Sequence, residues 1–90
     1  MLFLWDPAKA EQNTKKHGVS FEMAQTVFED PLHLSVLDAR EHGEERWITI
    51  GRNAHLKTLV VVHTYASSDA GREIIRIISA RKATRKEIKK

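Results

Sequence analysis

The sequence predicts an α+β domain: a small antiparallel sheet covered on one face by an N-terminal helical hairpin, with a short C-terminal helix. Three observations predict it. Two helical segments with capping residues follow one another within the first thirty positions. Most of the chain from Leu32 to Ala80 then reads as strands, with alternating or β-branched character. The connections between these strands are too short for the long crossovers that parallel neighbours require.

Leu2–Trp5 is a short apolar opening strand. Asp6 and Pro7 then start a helix, the aspartate as N-cap and the proline at the first helical position, and Gly18 stops it after His17. Ser20 caps a second helix in which Phe21, Ala24, Val27 and Phe28 recur at helical spacing before Pro31. Leu32–Leu37 reads as a strand and Asp38–Gly43 as a polar turn. In the next strand, Glu45 to Arg52, alternation sends Arg46, Ile48, Ile50 and Arg52 to one face and Glu45, Trp47 and Thr49 to the other. Asn53–Lys57 is a turn, Leu59–Tyr65 a valine-rich strand, Ser67–Arg72 a loop and Glu73–Ala80 the last strand. Thr84 with Glu87 three residues on is a capping box that opens the final helix. Trp5, Phe21, Phe28 and the valines are the expected core, and residues 1–90 are expected to form one domain.

Composition narrows the function. Without cysteine there are no disulfides and no thiolate metal sites. The opening residues lack the basic-then-apolar arrangement of a signal peptide, and no apolar segment approaches the roughly 20 residues that span a bilayer. The expectation is a cytoplasmic protein with no membrane association. The net charge of +3 is unevenly spread: residues 81–90 hold six basic residues against one acid, a net +5, and residues 1–80 hold nine against eleven, a net −2. Such asymmetry suits a polyanion or an acidic partner, although a solvated helix face would look the same.

The five histidines are scattered, without the paired spacing of a metal site, and no cofactor is expected. Phosphate loops, dinucleotide fingerprints and nucleophile elbows are absent. Cations, histidines and carboxylates remain, an inventory that suits RNA cleavage by attack of the 2′-hydroxyl on its own phosphate. The nucleophile then belongs to the substrate, and the protein supplies a base, an acid and positive charge for the transition state. Trp47 and Tyr65 are candidates for stacking bases. Each candidate also has a structural reading. His17 closes a helix beside Lys15 and Lys16, where cations are favoured anyway. His63 shares a strand face with Leu59 and Val61 and fits a satisfied core histidine. Arg46 suits a surface ion pair as well as a phosphate. Arg76, between Ile74 and Ile78, is expected to be shielded and to need an anion, with Glu45 as one partner. Arg81 falls at a more exposed junction, on the opposite face from Arg76 if the strand is regular.

The stretches WDPAKAEQNTKKHGVSFEMA (Trp5–Ala24), EERWITIGR (Glu44–Arg52), LVVVHT (Leu59–Thr64) and IRIISARKATRKE (Ile75–Glu87) together resemble the BrnT family, in the family's order and over nearly the whole chain. The resemblance implies a type II toxin with a RelE-like fold, a metal-independent endoribonuclease that arrests translation. It implies a BrnA-like ribbon-helix-helix antitoxin as partner, with operator DNA bound only through that antitoxin. Lys16, His17, Glu45, Arg46, His63, Arg76, Ser79 and Arg81 match the family's polar positions. Met23, where relatives often carry an acid, departs from the pattern. On this reading His17, Glu45, Arg46, Arg76 and Arg81 are the catalytic candidates, with His17 favoured for proton transfer. Lys16, Trp47, His63, Ser79, Lys82 and Arg85 are the RNA-binding candidates. The alternative is a binding module or co-repressor without catalysis, gripping the antitoxin through its basic face.

Overall fold

In the computed structural model, which describes residues 1–38 and 45–89, five strands form one sheet in the order β1-β5-β4-β3-β2. They are β1 (Leu2–Leu4), β2 (Leu34–Asp38), β3 (Arg46–Arg52), β4 (Thr58–Ser67) and β5 (Glu73–Lys82). The helices are α1 (Pro7–His17), α2 (Phe21–Gln25) and α3 (Arg85–Ile88). Strands β2 to β5 form the expected antiparallel meander. The sheet is nevertheless mixed, because β1 pairs with β5 in parallel, Phe3 opposite Ile75. The chain between β1 and β5 holds all the intervening elements, ample length for a return to the same direction.

The helix ends follow the local chemistry. The Asp6 carboxylate accepts from the Ala8 N–H at 2.9 Å, and Gly18 closes α1 in the left-handed region at φ 69°, its N–H bonded to the Thr14 carbonyl. The Ser20 hydroxyl caps α2. The second helix is shorter than its apolar spacing suggests: Val27 and Phe28 belong to a 3₁₀ turn, Thr26–Glu29, that follows α2. Both α1 and α2 pack against β5. Strand β2 begins at Leu34, since Pro31 and Leu32 lie in a turn. The polar turn expected at Asp38–Gly43 lies outside the described residues, apart from Asp38, which ends β2.

The core lies between the helices and one sheet face. Val19, Phe21, Ala24 and Val27 meet Leu59, Val61, Ile75, Ile77 and Ala80, with Phe3, Trp5 and Phe28 partly buried against them. Asn13 on α1 locks the layers together. Its amide donates to the carbonyls of Val19 and Ala80 and accepts from the Ala80 N–H, all within 3.1 Å. It thereby satisfies a stretch of β5 beyond the end of short β1. Gly51 permits a close approach nearby: a Cβ there would fall 2.9 Å from the Cβ of His33 and 3.0 Å from Val27.

The register of β5 against β4 carries the main surprise. Val62 pairs with Ser79 but His63 pairs with Ile77, so Ile78 is an inserted, unpaired residue, a β-bulge. Inward-facing residues therefore run Ile75, Ile77, Ala80 rather than by strict alternation. Arg76, Ser79 and Arg81 consequently share the outer face, opposite Thr64, Val62 and Val60. The expectation that Arg76 and Arg81 lie on opposite faces is corrected by this one residue.

Candidate nucleic-acid interface

Strand pairing lays out the outer face in cross-strand rows. Leu34, Ile50, Val60 and Arg81 form one, and Val36, Ile48, Val62 and Ser79 the next. Beyond them Asp38 pairs with Arg46, and Thr64 with Arg76, which in turn neighbours Leu4. Arg46 and Arg76 flank β4 from either side, two strand spacings or about 10 Å apart. Arg81 is further along β5, roughly 15 Å from Arg76. An aliphatic centre is thus bordered by arginine at both ends.

The arginines differ in their surroundings. Arg76 is exposed rather than shielded, since its face of β5 has no helix above it there. Arg46 is half-buried, and its Nε is buried with no hydrogen-bond partner among the described residues. Arg81, expected at an open junction, donates two bonds to the Glu87 carboxylate of α3, at 2.9 and 2.8 Å. This fork holds α3 over the outer face. It also lowers the Glu87 pKa to about 2, with help from the Thr84 N–H, which the same carboxylate accepts at 2.7 Å. Glu87 was legible only as part of the capping box, which is present. Its second role needed the structure.

The remaining candidates lie elsewhere. Lys16 and His17 end α1 in the helical layer, Lys16 exposed and His17 half-buried. Glu45 is exposed just before β3, and Trp47 points to the helix side, opposite His63. Lys82 and Arg85 are exposed where β5 gives way to α3. His63 is 3% exposed and lies edge-on to Phe28, with ring centroids 4.9 Å apart. Its Nδ1–H donates to the Thr64 carbonyl, which leaves Nε2 to accept from the Thr49 hydroxyl at 2.6 Å. Thr49 accepts in turn from Ser35, also at 2.6 Å. Burial pushes the His63 pKa down, with a smaller push from the charge of His33. This buried, saturated ring is removed from RNA contact, and its hydroxyl partners were not foreseen. Among the described residues, no three His, Asp or Glu side chains gather as a metal site. Among the same residues no helix is long and apolar enough to cross a membrane.

The fold and this face define a small α+β domain that shields one side of its sheet and offers a cationic, aliphatic side to solvent. More particularly, residues 5–87 match the family model of the ribonuclease toxin BrnT of type II toxin–antitoxin systems, and the chain belongs to that family. The crystal structure of the Brucella abortus ribonuclease toxin BrnT superposes with a TM-score of 0.64, covering 94% of this chain and 100% of that one at 20% identity. That likeness speaks for the fold. Comparison with curated proteins gives no match.

Proposed function

We propose that this chain is a metal-independent endoribonuclease toxin whose outer sheet face holds the RNA backbone. The observation that carries the reading is the bulge at Ile78, which aligns Arg76, Ser79 and Arg81 on the face that also bears Arg46. Arg46 and Arg76, about 10 Å apart at the backbone, are close enough for their long side chains to converge on one phosphate. There they would stabilise the charge that accumulates as the 2′-hydroxyl attacks. Arg81 and Ser79 would hold the neighbouring backbone. Lys16, Lys82 and Arg85 would add long-range attraction. Proton transfer falls to Glu45, exposed next to Arg46 at the start of β3, rather than to His17, which ends α1 in the helical layer on the other side of the sheet. A ribbon-helix-helix antitoxin would silence the toxin, and the complex would bind operator DNA.

Purified protein incubated with RNA in excess chelator tests the chemistry. Fragments ending in cyclic phosphate are expected, and Arg76→Ala should slow their appearance. RNA left intact at high protein concentration would overturn catalysis and favour a module that only binds.

A further inference from the structure

The outer face carries a second feature that phosphate binding does not use. Beside the arginines lies an open groove of about 990 Å³. Its floor is Leu34, Val36, Ile48, Ile50 and Val60, and Ile88 of α3 forms one wall. Leu34 is 68% exposed, Val36 59% and Ile88 55%. Exposed Leu34 and Val36 continue into half-buried Ile48 and Ile50 and end on buried Val60, and apolar surfaces of this kind are commonly interaction sites.

We propose that this groove is the docking site for an amphipathic helix of the protein antitoxin, one with acidic residues along the edge that faces α3. The inference rests on the toxin reading above, which supplies the partner. Three physical points select the occupant. The floor spans β2, β3 and β4, two strand spacings of about 4.8 Å, which is the width of a helix rather than of an added strand. The α3 side of the groove is cationic: Lys86 lines it, Arg85 and Lys89 are exposed beside it, and the one acid of α3, Glu87, is engaged by Arg81, while Glu29, Asp30 and Arg52 complete the charged lining. Acidic residues beside an apolar stripe would match it. RNA is disfavoured by the floor, which has no aromatic ring to stack on and no donor for phosphate. A helix seated here would lie beside Ser79 and Arg81, which continue the floor's cross-strand rows on β5, and so would crowd the proposed path of the RNA.

Leu34→Glu and Val36→Glu test the groove, with Leu37→Glu as control. Leu37 is in the same strand and 47% exposed but points to the opposite face. The probe is the purified product of the reading frame adjoining that of the toxin. Leu34→Glu and Val36→Glu should each raise its Kd by about 100-fold. Far-ultraviolet circular dichroism and the urea midpoint should be unchanged, and Leu37→Glu should bind as wild type. Equal losses in all three variants would mean an added strand at the β2 edge, and full binding by the two groove variants would mean another surface; either overturns the inference. A dimer of the chain alone that Val36→Glu dissolves would also overturn it, by assigning the groove to a second copy. Failure of the wild-type protein to bind the probe would strike the toxin-pair reading itself.

Discussion

The two faces of the sheet are made by the same strands and obey opposite rules. On the helix side the side chains beneath α1 and α2 are enclosed, and polar atoms such as those of Asn13, Thr49 and His63 have partners within the chain. On the other side, aliphatic side chains stay exposed, the Nε of Arg46 lacks a hydrogen-bond partner among the described residues, and the charge of Arg81 is met by a helix of one turn. The first face is built for stability; the second is the one proposed to meet RNA and the antitoxin. Substitutions should therefore separate cleanly, moving stability on one side and activity on the other.

The largest effect on stability belongs to the helix side. Phe21→Ala should cost about 3–5 kcal/mol, because its ring is wholly enclosed and leaves a cavity. Val36→Ala, on the open face, should stay within about 0.5 kcal/mol. Urea titrations of the two variants check the contrast, and similar losses would break it. On the open face the large effect is on rate. Arg76→Ala should reduce RNA cleavage by about 10² to 10³-fold if its charge meets the developing phosphate charge. The urea midpoint should stay in place, since the residue is exposed.

Next in size is Asn13→Ala. It leaves the Ala80 N–H and the Ala80 and Val19 carbonyls without their partner and should cost about 2 kcal/mol, with cleavage by the remaining folded protein unchanged. His63 then offers a test by pH. Its folded pKa lies below the ordinary 6.5, so the fold favours the neutral ring. The stability this gives is complete above pH 6.5 and is lost as pH falls through that value toward the lower folded one. Protonation would also remove the acceptor that the Thr49 hydroxyl needs. Thermal melts between pH 8 and 5 should show a steeper acid decline for the wild type than for His63→Gln.

Much of this was legible from local chemistry. The caps at Asp6, Ser20 and Thr84, the stop at Gly18 and the meander of β2 to β5 are set by neighbouring residues, and the sequence displays them. The parallel docking of β1 was not legible, because three apolar residues carry no sign of direction. Nor was the bulge. In EIIRIISARK the isoleucine pairs read equally well with either face inward, and only the seating of Ile77 and Ala80 against the helices decides. That choice moved Arg81 to the face of Arg76. Leu34 and Val36 look like core residues in sequence, since nothing in a strand's pattern says that one of its sheet's faces goes uncovered.

The smallest expected effect tests whether the two faces are as separate as they look, because Arg81 is where the open face borrows a partner from its own chain. Both side chains of the Arg81–Glu87 pair are partly exposed, 42% and 32%, so solvent screens the attraction. Glu87→Gln should cost only about 0.5–1 kcal/mol at neutral pH, and less in high salt. In the wild type the same contribution is present above the ordinary carboxylate value of 4.5. It is lost as pH falls toward the folded value of about 2. If Arg81 serves only to hold α3, the variant should bind RNA as before. If Arg81 also meets phosphate, removing the carboxylate charge beside it should strengthen RNA binding. The slope of log affinity against log salt should then steepen by about one. Arg81→Ala should abolish that gain, and a Glu87→Gln variant with unaltered salt dependence would return Arg81 to a purely structural role.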